Sequence, residues 1–270
     1  MTSPSKAESA GKAEDSRLAA VTQRADRQDY PYPRRRLMRW VLRGLALLAF
    51  KVISRLEIRG AENVPAEGPV ILAGNHFHFA DPVALLSLTK RQVEFVGGFR
   101  FPNAPFIVKF IPTLWGYFPV RRGAYSRASL DYSVTVLRKN GVVGIFPEGG
   151  AWAQVLRPPR GGIGYIVMES GARVVPVGLA GFERLFKEWR PKLVISIGKP
   201  VMMKLPENPQ ALGHGERKEA YDAIGKQVMR AIADELPEHY HGVYSQDVES
   251  RRAAEEVSAY PFDRADMRGM

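Results

Sequence analysis

One segment of this 270-residue chain places three chemically useful side chains within seven positions: Asn75-His-Phe-His-Phe-Ala-Asp81, followed by Pro82. A histidine here can act as a general base, and a carboxylate five residues on can hold its tautomer and stabilise the imidazolium that forms. The same residues also read as a turn followed by a capped helix, since Asp favours helix starts and Pro the first helical turn. A His-x4-Asp spacing alone does not choose between the two readings.

The surrounding elements tilt the choice. Pro69-Val-Ile-Leu-Ala-Gly74 is an apolar strand that runs directly into Asn75 and His76. Val142-Val-Gly-Ile-Phe-Pro-Glu-Gly-Gly150 is a second strand ending in a polar turn. There Pro147 stops the ladder, Glu148 stands at the strand mouth, and Gly149-Gly150 allow close backbone approach. Gly116-Tyr-Phe-Pro-Val-Arg-Arg-Gly123 puts Arg121 and Arg122 at another strand end, and Val174-Val-Pro-Val-Gly-Leu179 is a further strand. In open α/β sheets ligands bind at the carboxyl ends of strands. A base, a guanidinium and a glycine turn gathered there suit an anionic substrate that carries a hydroxyl.

Six apolar runs have strand length and β-branched or aromatic content: 70–73, 93–96, 117–120, 142–146, 174–179 and 193–197. Helical patterns at 83–89, 126–140 and 163–170 separate several of them, and 220, 221, 224, 228, 232 and 236 form one apolar face of a C-terminal helix. The expectation is one α/β domain over 57–240, a mostly parallel central sheet flanked by helices. Residues 37–56 read as an amphipathic helix before it, with Arg39, Arg43, Lys51 and Arg55 reaching lipid headgroups. Residues 1–36 are expected to be a disordered basic tail and 241–270 a flexible one.

The formal charge is +11, and the first 60 residues hold 13 Lys/Arg against 6 Asp/Glu. That bias suits an anionic lipid surface or nucleic acid. No nucleic-acid motif accompanies it, and nucleic acid is not an expected partner. There is no cysteine, which excludes a thiol nucleophile, disulfides and thiolate metal sites. The N-terminus lacks a secretory h-region, and Arg43 and Lys51 interrupt the only strongly apolar stretch near it, so no spanning helix is expected.

Taken in order, the four strand-end blocks resemble those of the PlsC-like glycerolipid acyltransferases, the lysophosphatidic acid acyltransferase family, over roughly residues 57–205. Asn75, His76 and Asp81 match the family's Asn-His-x4-Asp. Gly116–Arg122 is similar to its arginine-bearing block, with Arg122 in the arginine's place. Phe146-Pro147-Glu148-Gly149 matches the third motif, and Val175-Pro176-Val177 resembles the fourth.

The resemblance implies direct acyl transfer from acyl-CoA or acyl carrier protein, as co-substrate rather than bound cofactor, to a lysophospholipid hydroxyl. His76 would be the base and Asp81 its orienting partner. Asn75, Arg122, Glu148, Gly149 and Arg160 would bind substrate, Arg122 through the acceptor phosphate and Gly149 through space and a backbone N–H. Glu148 would bond the acceptor hydroxyl or hold an arginine. It also implies a peripheral or monotopic enzyme on an anionic lipid surface, at the cytoplasmic face of the membrane. One departure bears on the acceptor. Where the family continues Thr-Arg or Thr-Ser, this chain reads Gly150-Ala151-Trp152, so Arg157 or Arg160 would have to supply the missing charge.

Other acceptors, such as lyso-ornithine lipids or glycolipids, fit the same pattern, as does a non-catalytic lipid-binding protein. A zinc hydrolase built on His76-x-His78 competes too, although the remaining histidines, His214, His239 and His241, lie far along the chain.

Overall fold

Every apolar run expected to be a strand contributes to one sheet, in a computed structural model that describes residues 32–97, 114–115, 118–119, 127–209 and 211–259. The strands are β1 (Arg55–Arg59), β2 (Val70–Gly74), β3 (Val93–Gly97), β4 (Phe118–Pro119), β5 (Val142–Ile145), β6 (Arg173–Ala180) and β7 (Lys192–Ile197). They lie in the order β1-β7-β6-β2-β5-β3-β4. All neighbours run parallel except β6 and β7. The helices are α1 (Arg36–Ile53), α2 (Asp81–Leu86), α3 (Arg127–Arg138), α4 (Gly162–Ser170), α5 (His214–Ala233) and α6 (Val248–Ser258).

Strand β2 is central, and its side chains alternate between two cores. Ile71 and Ala73 join α3, α4 and α5 through Val136, Ile166 and Val228. Val70 and Leu72 face the other way, toward Phe50 of α1 and Leu85 of α2. Burial on both faces explains the uninterrupted Val-Ile-Leu-Ala run, the composition that parallel central strands require. α4 and α5 approach so closely at Gly164 that a Cβ there would lie 2.2 Å from the Tyr221 carbonyl oxygen. Gly164→Ala is therefore expected to destabilise the fold by about 1–3 kcal/mol through overpacking, read as a lowered urea midpoint.

Three expectations need correction. The first helix ends at Ile53, and Arg55-Leu56 belong to the edge strand β1, whose charged, half-exposed sequence carries little strand signal. The stretch after 241 is not a featureless tail: it forms a 3-10 turn over Gly242–Tyr244 and then α6, where Asp247 caps the Ser250 N–H and Ala254 is buried. Finally, Arg39 does not reach outward from α1, and Arg43 is half-buried, its Nε out of contact with solvent. Arg39 is 1% exposed, bonds Glu94 of β3 at 2.6 and 3.1 Å, and donates to the Trp115 carbonyl. Arg34 pairs with the same carboxylate.

With Arg39 turned inward, α1 leaves Leu37, Trp40, Val41, Leu45, Leu48 and Val52 exposed, Leu48 by 59%, with Arg36 and Lys51 exposed near its two ends. An arginine inside and leucines outside invert the usual arrangement of a helix packed on a water-soluble domain. No helix among the described residues is long and apolar enough to cross a membrane. Residues 1–31 of the basic tail lie outside the described residues.

Candidate active site

The β2 strand does not stop bonding at Gly74. Asn75 continues its ladder with a side chain: Nδ2 donates to the Leu179 carbonyl at 2.9 Å and Oδ1 accepts the Leu179 N–H at 2.7 Å. Both polar groups are consumed and the residue is fully buried. Asn75 is thus a strut between β2 and β6 and not the substrate contact expected of it. It carries the chain out of the sheet at a fixed point, and His76 is the next residue.

Asp81 lies in the first turn of α2, with Pro82 beside it. Its carboxylate reaches back instead of capping α2. Oδ2 accepts from the N–H groups of Phe77 and His78 at 2.7 and 2.6 Å and lies 3.1 Å from His76 Nδ1. A carboxylate only accepts, so the proton sits on Nδ1 and Nε2 keeps its lone pair. The ring stacks on Phe146, with centroids 4.4 Å apart and planes 22° from parallel. Asp81 is fully buried, whereas the His76 side chain keeps 16% of its surface open. A buried acceptor behind and a free imidazole nitrogen in front are what a general base needs.

A second pair holds the backbone of the same histidine. Glu148, just past β5, accepts the His76 N–H at 2.7 Å through Oε2. Its Oε1 accepts from the backbone N–H and Nε of Arg157, both at 3.2 Å. Arg157 Nη2 then donates to the His76 carbonyl at 3.3 Å and to the Gly150 carbonyl at 2.5 Å. The N–H and C=O of His76 are therefore both gripped by one buried ion pair. Burial pushes the Glu148 carboxyl up to about 7, against the pull of Arg157 and the two backbone N–H groups. The same desolvation lowers the Arg157 pKa, with Glu148 opposing it.

The glycine turn holds the acid in place. Gly149 has φ +81° and its N–H is spent on the Phe146 carbonyl, so the expected backbone donor to substrate is not available. Glu148 meets the arginine-holding alternative, while Arg157 is too buried to replace a missing acceptor-site cation. Arg160 is half-buried, and its N–H bonds the carbonyl of Pro147 beside Glu148. Arg122 lies outside the described residues.

Trp152, at the point of departure from the family pattern, is neither a core residue nor a free wall. It covers the Arg157 guanidinium, 3.7 Å from the ring centroid, and donates Nε1 to the Val257 carbonyl of α6. The segment following it is tied to the C-terminal region, Leu156 exchanging bonds with Tyr240 and Val243. The stacking role of Phe146 and the inward role of Arg157 escape a sequence reading, because both depend on a partner some 70 to 80 positions away.

His78 points elsewhere: Nδ1 accepts the Ala80 N–H, the ring lies against Phe79, and burial lowers its pKa. Among the described residues no group of three or more His, Asp or Glu is arranged to hold a metal ion.

Residues 55–180, which include His76, Asp81, Glu148 and Arg157, match the family model described as Acyltransferase. A 1-acyl-sn-glycerol-3-phosphate acyltransferase of Bacillus subtilis is 28% identical over 163 residues, 57% of this chain and 79% of that protein. One of Borreliella burgdorferi is 26% identical over 147 residues, 53% of this chain and 56% of its own length. The fold is similar to the crystal structure of the 1-acyl-sn-glycerophosphate acyltransferase PlsC of Thermotoga maritima, with a TM-score of 0.50 and 21% identity, over 78% of this chain and 87% of that one.

Proposed function

Because this chain is a member of the acyltransferase family and an O-acyltransferase, we propose that it moves a fatty acyl group from an acyl thioester to the hydroxyl of a lysophospholipid, 1-acylglycerol-3-phosphate being the first candidate. The observation that carries this reading is the His76–Asp81 dyad, whose Nε2 is turned away from its buried partner. The chain has no cysteine, and among the described residues no serine or threonine hydroxyl bonds the His76 ring, so the dyad is assigned to the substrate's own hydroxyl.

His76 Nε2 takes the hydroxyl proton as the oxygen attacks the thioester carbonyl carbon. Asp81 stabilises the imidazolium, as in a triad whose serine has been replaced by the acceptor. The tetrahedral intermediate collapses, the C–S bond breaks, and the leaving thiolate recovers the proton from Nε2. The products are an ester and a free thiol, and no bound cofactor is consumed. The donor is acyl-CoA or acyl carrier protein. Arg122 and Arg160 are the cations we assign to the acceptor phosphate, a role suited to a guanidinium fork.

The outward apolar stripe of α1 supports a peripheral or monotopic placement on a membrane, which we assign to the cytoplasmic face. Between α1 and α2 runs an apolar groove of about 310 Å3, lined by Leu45, Phe50, Phe79, Val83 and Phe186. Ala80, the residue before Asp81, also lines it, which makes it a suitable place for an acyl chain beside the dyad. A panel assay tests the whole reading: purified protein, labelled acyl-CoA and acyl carrier protein donors, and lyso-acceptors with phosphate, ornithine and sugar headgroups. Transfer to 1-acylglycerol-3-phosphate is the expected result. Transfer only to the ornithine or sugar acceptor would reassign the substrate, and transfer to none would overturn the proposal.

A further inference from the structure

A second cleft opens at the other end of the sheet. Tyr32, Arg36, Trp40, Lys90, Arg91 and Asn140 line it, and its volume is about 540 Å3. The Tyr32 hydroxyl fixes its position, donating to the Gln92 carbonyl at 2.7 Å and accepting the Val142 N–H at 3.1 Å. Those contacts lie at the amino ends of β3 and β5, whereas His76 follows the carboxyl end of β2. A strand of this length separates the two ends by roughly 15 Å at about 3.3 Å per residue. The cleft is therefore not part of the catalytic site.

Its charge is one-sided. No carboxylate lines it, and among the described residues none forms an ion pair with Arg36, Lys90 or Arg91. Arg91 is held rigidly by the carbonyls of Pro65, Gly68 and Asn140, at 3.1, 2.6 and 2.5 Å. These acceptors are neutral, so they position the guanidinium without cancelling its charge. Burial lowers the Arg91 pKa, with Tyr32 and Glu67 opposing it. Arg36 and Lys90 are exposed on the rim.

The rim also belongs to the apolar face of α1. Trp40, 63% exposed, is both a wall of the cleft and part of the outward stripe. An indole at such a border, apolar on one side and cationic on the other, matches the chemistry of a membrane interface. We propose that this cleft binds the phosphate headgroup of an anionic membrane phospholipid, a second lipid site that anchors the amino end of α1. The proposal rests on the membrane placement given above, and it adds a defined headgroup contact to a non-specific apolar face.

Vesicle binding by the full chain tests it, using phosphatidylcholine alone and phosphatidylcholine with added phosphatidylglycerol. The wild type should bind both, and the anionic vesicles more tightly. Arg36→Gln with Lys90→Gln should remove roughly 25-fold of that tightening, at about fivefold per basic residue near an anionic surface, and leave binding to the neutral vesicles intact. Leu48→Glu, on the apolar stripe, should weaken binding to both. Equal tightening in the double variant and the wild type would overturn the headgroup site while leaving the membrane placement standing. If the wild type bound neither vesicle, the membrane placement would fail and the anchoring role with it.

A titration with dihexanoyl phosphatidylglycerol below its micellar concentration examines the cleft without a bilayer. Saturable binding lost in the double variant supports the site. Displacement by inorganic phosphate at equal concentration would show a free-phosphate site and overturn the lipid assignment.

Discussion

His76→Ala is expected to lower acyl transfer by about 10²–10⁴-fold, the usual contribution of a positioned general base, while the protein stays folded. The fold survives because the substitution removes only a partly exposed ring stacked on Phe146. Glu148 and Arg157 grip the backbone of residue 76, not its side chain, so the loop is still held. Asp81 needs a different substitution. Its Oδ2 is the acceptor for two backbone N–H groups, and alanine would strand both at about 1–3 kcal/mol each. Asp81→Asn keeps an oxygen for those donors and loses the charge that stabilises the imidazolium. A large fall in kcat with an unchanged melting temperature is the expected result for both His76→Ala and Asp81→Asn. Full activity in His76→Ala would remove the dyad from the mechanism.

Arg157→Ala carries the largest expected cost in stability, roughly 3–5 kcal/mol, since it leaves a buried carboxylate without its cation. Urea denaturation would show it, and pH would identify the cause. In the wild type burial holds Glu148 up to about 7, above the ordinary glutamate range. The folded state thus binds that proton more tightly than the unfolded chain. Stability drawn from it is complete at acid pH and falls as pH rises through about 7. Removing Arg157 takes away the main group opposing the rise, so the variant's Glu148 moves further up. The stability gap between wild type and variant should therefore be wide in mild alkali and narrow in mild acid. A gap independent of pH would mean that lost packing against Trp152, not the stranded charge, dominates.

The two predictions draw on parts of the site that were unequally visible in the amino-acid sequence. His76 and Asp81 are five positions apart in one turn, and a turn that short brings them together whatever the remaining chain does. The β2 run of apolar residues likewise announces a doubly covered strand, because burial on both faces leaves no room for alternation with polar residues. Local spacing and composition therefore sufficed for the α/β class and the strand-end position of the site, whereas reading His76 and Asp81 as a dyad also needed the four ordered blocks that resemble the acyltransferase motifs.

Contacts between distant segments were decided by the tertiary structure alone. Asn75 looked like a substrate ligand until Leu179, 104 positions away, took both ends of its amide. Arg157 looked like a spare acceptor-site cation until Glu148, His76 and Trp152 enclosed it. Arg39 looked like a headgroup contact until the fold brought Glu94 beneath it. In each case the residue's chemistry was legible in the sequence but its partner was not. Whether a polar side chain faces substrate or is spent inside depends on which distant group the sheet order brings within bonding distance, and burial then makes that pairing obligatory.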